Sequence, residues 1–284
     1  MSAARGGVGP ATLLVGISNP ATVEELVRLS AKLAEAGHWK ILLTHVVTVA
    51  NQISLTTGRS STEVVRARDL LQEVLSRAEA TGMDVGALVE VARSVDEGLL
   101  AAADSHHAEM ILVGYSEAET EADDGGTEER FDRTMHRVAR KGTTDTVVAK
   151  FRREGMGRIL VPVAADAPLQ VTGLLCRALG RAAETSLTFL HVVESGASMD
   201  EARRRIEGRL EERGVASIGP LIVVASQDPV EAIVETAAEY DLMIVGPSRR
   251  PGLMKAIFSS RAQKIAEEAP TSVLLVWNRA VGAG

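Results

Sequence analysis

The chain states one pattern twice. Leu13-Leu14-Val15-Gly16-Ile17 returns as Ile159-Leu160-Val161-Pro162-Val163, and Thr44-His45-Val46-Val47 returns as Leu190-His191-Val192-Val193, both displaced by 146 positions (14 to 160, 45 to 191). Two further pairs keep the order at shorter offsets. Ile111-Leu112-Val113-Gly114 answers to Met243-Ile244-Val245-Gly246, and Val147-Val148-Ala149 to Leu274-Leu275-Val276. A repeat at so long a period means two whole domains of one fold, since solenoid repeats recur every few tens of residues. The shrinking offset places loop deletions in the second copy.

With 284 residues, each copy is long enough to bury its own core. Net charge is -7, with both signs interspersed, so the surface repels a polyphosphate backbone and nucleic acid is not expected as a partner. The single cysteine, Cys176, excludes an intramolecular disulfide and fits a reducing cytosol. Its apolar helical surroundings make it a core thiol rather than a nucleophile. No apolar stretch approaches the roughly 20 residues that span a bilayer. Met1 to Gly9 lacks the apolar centre of a signal peptide and reads as a short disordered tail.

Each copy alternates strand and helix. In the first, strands are expected at Leu13 to Ile17, Ile41 to Val49, Ala87 to Val91, Met110 to Val113 and Thr146 to Ala149. In the second they fall at Ile159 to Val163, Ser186 to Val193, Leu221 to Val224, Leu242 to Val245 and Ser272 to Val276. These runs are apolar without alternation, which implies burial on both faces, hence parallel sheets between helices. After Pro20 a helical face carries Val23, Leu26, Val27, Ser30 and Leu33. Ser60 with Glu63 reads as a capping box for a helix bearing Val64, Ala67, Leu71, Val74, Leu75 and Ala78. Further helices are expected over Val95 to Ala103, Phe131 to Lys141, Leu169 to Ala183, Asp200 to Arg213, Pro229 to Glu239 and Arg261 to Glu268. The short charged stretch from Arg152 to Gly157 reads as a linker, and Glu117 to Glu129 as a mobile acidic insertion. The fold class is therefore α/β, with two tandem doubly wound five-stranded parallel-sheet domains, 1–151 and 156–280.

Several motifs together resemble the universal stress protein family. They are the strand Ile159 to Val163, the His-Val-Val ending the second strand, the helix start Asp228-Pro229-Val230-Glu231-Ala232-Ile233, the segment from Asp241 to Ser260, and the ending from Ile265 through Pro270 to Val276. The resemblance spans roughly residues 11 to 278 and is clearer in the second copy. The first copy, with Ser18-Asn19-Pro20 and Val91 to Gly98, is similar to tandem stress-protein modules that form cytosolic tails of amino-acid permeases and cation antiporters. It implies an adenine nucleotide alpha hydrolase-like fold, with fifth strands paired between copies, here Thr146 to Ala149 and Ser272 to Val276.

Nucleotide-binding members carry an aspartate after the first strand and a loop G-x2-G-x9-G-[ST], whose glycines admit phosphates to the backbone and whose hydroxyl residue opens a helix. In the second copy Gly246 and Ser260 match that frame, while Arg249 and Ser259 replace glycines and Ala164 replaces the aspartate. The candidate anion or nucleotide site is Gly246, Ser248, Arg249, Ser259 and Ser260, with Val192 at the second strand, and its candidate ligand is ATP or AMP. In the first copy Ser18 replaces the aspartate, and Asp132-Arg133 stands where Gly-Ser is needed, so that site is expected to be dead.

The remaining signals have plain structural readings. His45 and His191 hold equivalent positions, which favours structural hydrogen bonding. His106-His107 reads as a turn rather than a metal site, and the run Arg203-Arg204-Arg205 among glutamates as a salt-bridged helix face. Trp39 and Trp277 read as packing residues at a domain contact. No nucleotidyl-transfer, hydrolase-elbow or dinucleotide signature is present, so no catalytic residue, metal or obligatory cofactor is expected. The chain is expected to be a cytoplasmic, non-enzymatic stress-response or transporter-regulatory module, an intramolecular pseudo-dimer. Its expected partners are a membrane transporter or a second copy of itself. The alternative is an ATP- or AMP-binding sensor, with at most slow hydrolysis, that uses the loop of the second copy.

Overall fold

The computed structural model describes residues 11–79, 83–115, 137–138, 141–181, 184–246 and 260–279. The acidic insertion lies outside them, as does most of the helix expected over Phe131 to Lys141.

In the first half, β1 (Thr12–Gly16) pairs in parallel with β2 (Lys40–Thr48) on one side and β4 (Ala108–Tyr115) on the other, and β2 pairs with β3 (Val85–Ala92). The order β3-β2-β1-β4 reverses direction at β1. Helix α1 (Val23–Gly37) follows a 3-10 turn at Pro20–Thr22, and it ends where His38 adopts φ 52° and returns its amide to the last carbonyls. It buries Val23, Leu26, Leu29, Ser30 and Leu33, while Val27, expected on that face, is only half-buried. A short helix that sequence periodicity does not reveal, α2 (Leu55–Gly58), is capped by Ser54. Helix α3 (Thr62–Glu79) starts one residue later than its expected cap. Ser61, not Ser60, accepts from the Val64 amide, and the Glu63 carboxyl is lowered from its usual range by its own backbone amide and then by Ser61. Helix α4 (Val95–Ser105) is capped by Ser94.

The second half repeats the order. β6 (Arg158–Pro162) lies between β7 (Ser186–Val193) and β9 (Leu242–Val245), β7 pairs with β8 (Leu221–Ala225), and β9 with β10 (Ser272–Trp277), all in parallel. Its helices are α5 (Gln170–Leu179), α6 (Met199–Glu212), α7 (Pro229–Ala237) and α8 (Ser260–Glu268). Helix α7 carries proline in its first turn and an Asp228 cap that accepts from the amides of Val230 and Glu231. Leu160, Leu190, Met243, Ile265 and Val273 form the core beneath α7 and α8. Burying each such side chain contributes about 1.5–3 kcal/mol. Cys176 is fully buried in α5, as its setting implies.

Strand β5 (Asp145–Lys150) pairs with β10 in antiparallel register, Leu274 opposite Ala149 and Leu275 opposite Val148. The pairing expected of the two fifth strands is thus present. It also makes the compact units, Met1–Val113 and Gly114–Gly284, a different division of the chain from the sequence copies, because β5 groups with its partner.

The stretch read as a linker is firmly bonded to the second unit. The Arg152 guanidinium donates to the carbonyls of Glu267 (2.8 Å) and Ala269 (2.6 Å) at the end of α8, and that of Arg153 to Ala238 (3.0 Å) and Tyr240 (3.2 Å) beyond α7. Ser272 Oγ accepts from the amides of Arg152 and Arg153 and donates to the Arg153 carbonyl. Two cations therefore satisfy the orphan carbonyls at two helix C-termini, where the helix dipole favours positive charge.

Candidate functional site

In open α/β sheets, ligands bind at the carboxyl ends of strands where the winding reverses. In the second half that point lies between β6 and β9. Gly246 follows β9 there, and the loop 163–169 follows β6.

The β6 loop is held from two sides. His191, buried at the end of β7, donates from Nδ1 to the Val163 carbonyl at 2.7 Å. From α6, the Arg209 guanidinium donates to the carbonyls of Ala164 (2.8 Å), Ala165 (2.6 Å) and Ala167. At the position where the family pattern places an aspartate, Ala164 thus offers only its backbone, and that backbone faces a cation. Burial lowers the His191 ring from its ordinary value of 6.5, the Val163 carbonyl acts in the opposite sense, and Arg205 lowers it further. The ring is therefore predominantly neutral near pH 7, its Nδ1 carrying the proton that a carbonyl acceptor requires.

Gly246 faces α5. A methyl group built on it would lie 3.0 Å from Thr172 Oγ1. Thr172 is 3% exposed, and its hydroxyl has no hydrogen-bond partner among the described residues. The glycine therefore makes room for a helix of its own fold, whatever else approaches it.

Of the expected site residues, Gly246 and Val192 stand on elements flanking β6. Val192 is a half-buried residue of β7 that packs against the core under α7 and borders a hollow of about 310 Å³ at the start of α6, which His191, Glu194, Glu201 and Arg205 also line. Ser260 is the first residue of α8. Ser248, Arg249 and Ser259 lie outside the described residues. In the first half Ser18 is exposed, and His45 Nδ1 donates to Ile17 at 2.7 Å, repeating the His191 bond. Asp132 and Arg133 lie outside the described residues.

His106 and His107 close α4, His107 with φ 50°, and among the described residues no group of three or more His, Cys, Asp or Glu could hold a metal ion. Arg203 pairs with Glu207 at 3.7 Å and also donates to the Leu221 carbonyl. Trp277 is buried in β10, and Trp39 is half-buried beyond α1. No described helix is long and apolar enough to cross a membrane.

Sequence reasoning passes over Arg209 and Thr172. Arg209 sits one position before buried Leu210 in a helix otherwise read as a charged face, and Thr172 shares the buried face of α5 with Leu175 and Cys176. For Thr172, a polar residue on a buried helical stripe is the signal available; Arg209 is only half-buried, off the stripe of Ala202, Ile206 and Leu210, and carries no such signal.

This architecture, a doubly wound sheet with a glycine after the fourth strand of its repeat, defines an α/β protein of the doubly wound class. Residues 156–276 match the profile of the universal stress protein family. No curated protein matches the chain. Among solved structures, a functionally unknown protein from Pseudomonas aeruginosa PAO1 is 14% identical over 97% of this chain and 95% of its own, with a TM-score of 0.65. A universal stress protein from Archaeoglobus fulgidus is 16% identical over 96% of this chain and 100% of its own, with a TM-score of 0.64. The cytoplasmic domain of a prokaryotic cation chloride cotransporter is 12% identical over 97% of each, with a TM-score of 0.60. At these identities the likeness establishes a shared fold along the whole chain.

Proposed function

We propose that the chain is a non-enzymatic regulatory module of the stress-protein type, acting in the cytoplasm in a stress response or beside a membrane transporter, with adenine-nucleotide binding weak or lost. It would comprise two copies, 1–151 and 156–280, fused as an intramolecular pseudo-dimer through their fifth strands. The β5–β10 ladder supports that fusion. The fold shared with a transporter's cytoplasmic domain supports the regulatory setting.

The observation that carries the loss of nucleotide chemistry is the Arg209 clamp on Ala164, Ala165 and Ala167. A carboxylate here would offer a hydrogen-bond acceptor to a ribose or base and a ligand to a metal. Alanine with its carbonyl already engaged offers neither. Calorimetric titration with ATP, ADP and AMP, with and without Mg²⁺, tests the reading. Expected are dissociation constants no tighter than about 1 mM and no phosphate release. Micromolar ATP binding, or nucleotide co-purifying with the protein, would instead establish the second reading, a sensor using Gly246, Ser248, Arg249, Ser259, Ser260 and Val192. One feature favours that reading: the buried Thr172 hydroxyl beside Gly246, which lacks a protein partner among the described residues.

A further inference from the structure

The two halves treat the outer face of their first helix differently. In the second half, the chain leaving α6 folds over α5. A methyl group on Gly180 would meet Ile218 Cγ2 at 2.5 Å, one on Gly173 would approach Val215 at 3.8 Å, and Arg177 donates to the Arg213 carbonyl at 2.8 Å. Val215 is 1% exposed. Gly173, Arg177 and Gly180 correspond, at the repeat offset of 146, to Val27, Ala31 and Ala34 of α1. In the first half the connection from α3 to β3 runs only over residues 80–84, against 213–220 in the second. Over that face of α1 lies a groove of about 960 Å³. Val27, Ala31, Ala34, Trp39, Val74 and Met83 give it an apolar lining.

That volume falls in the range of small-molecule sites, roughly 300–1,000 Å³. Its rim is electrostatically biased. Arg28 is engaged by Glu24 at 2.9 Å and Glu25 at 3.8 Å, and Arg77 by Glu73 at 2.5 Å. Glu35 and Asp84, also on the rim, have no ion-pair partner among the described residues. The Trp39 ring lies back over Gly37 at the end of α1, where an added methyl would meet it at 2.6 Å, so the indole is held at the groove by its own chain.

We propose that this groove binds a small organic cation with an apolar body, the body replacing the aliphatic side chains that close the same face in the second half. Glu35 and Asp84 would draw the charged group, and the indole face attracts cations as well. The site is distinct from the β6–β9 crevice and independent of nucleotide binding.

Calorimetry on the full chain with three probes of one shape tests it: 4-butylbenzylammonium, 4-butylbenzyl alcohol and 4-butylbenzoate. The ammonium is expected to saturate below about 1 mM, the alcohol to bind at least about 5-fold more weakly, and the benzoate weaker still. Ala31→Arg, which installs the residue α5 carries, and Ala31→Met, which fills space without charge, should each weaken the ammonium at least about 10-fold while the circular dichroism stays native. Glu35→Gln with Asp84→Asn should keep alcohol binding and remove the preference for the cation. Absence of saturable ammonium binding up to about 5 mM, benzoate binding as tight as ammonium, or affinity unchanged in the folded Ala31 variants would each overturn the proposal.

Discussion

His191 Nδ1 stands 2.7 Å from the carbonyl oxygen of Val163, and His45 repeats the bond to Ile17 at the same distance. Both imidazoles tie the end of a second strand to the residue that leaves a first strand. Present in both halves at equivalent positions, the bond is architectural. Burial holds the folded-state value of His191 below its ordinary 6.5, so the unfolded chain binds the proton more readily. Stability is then fully present above about pH 6.5 and falls as the pH drops through the lowered folded value. Urea unfolding of wild type and His191→Gln between about pH 5 and 7.5 should show a shallower pH slope in the variant. Equal slopes would remove His191 from the effect.

Among the described residues, Gly219 is the glycine with the least room. A methyl group there would lie 1.9 Å from the Leu187 carbonyl oxygen, a backbone atom that cannot swing aside. Gly219→Ala is expected to destabilise by about 3 kcal/mol or more, since overpacking against backbone forces β7 or the chain after α6 to move. A loss below about 1 kcal/mol in equilibrium denaturation would contradict this contact.

Arg152 and Arg153 cap two different helices, so their removal should be close to additive. Each alanine variant is expected to cost roughly 1 kcal/mol, modest because both side chains are largely exposed. Lysine at 152 should recover only part of the loss, because one ammonium cannot reproduce the spread of two guanidinium nitrogens over Glu267 and Ala269. Full rescue by lysine, measured by urea titration, would show that charge alone matters.

Thr172 buries a hydroxyl that finds no partner among the described residues. Thr172→Val keeps the shape and removes the polar atom, so the ligand-free protein should gain about 1 kcal/mol. A loss of that size would mean that the hydroxyl is satisfied by water or by a residue outside the described set.

Burial pushes the Cys176 thiol up to about 12. Near pH 8 the native protein should react negligibly with a thiol-directed disulfide reagent and take up one equivalent after unfolding in guanidinium, because the thiolate is the reacting species. Rapid native labelling would place α5 in frequent local opening.

The strands were legible because buried apolar runs are bounded by polar breaks: β9 spans 242–245 and β7 spans 186–193, as their composition implies. Helix ends were less so. The α5 pattern suggests continuation to Ala183, yet the helix closes at Leu179 with Gly180 as its cap, where the chain from α6 crosses it. In the site, the missing aspartate at Ala164 and the surviving Gly246 could be read directly. Arg209 could not, because its carbonyl partners lie 42 to 45 positions away and leave no local pattern. The partners of Arg152 and Arg153 are more remote still, 85 to 117 positions off. Side chains that terminate distant backbone are invisible to periodicity, which reports only what an element does with its own faces.

The antiparallel ladder between β5 and β10 decides what a shortened version of this protein would be. A fragment starting at residue 156, where the family match begins, would shed β5 together with both capping arginines and leave Val273 to Val276 as a bare, greasy rim with open amides. Such a fragment is expected to recruit a twin along that rim, so truncation would exchange a pairing made within one chain for one made between two.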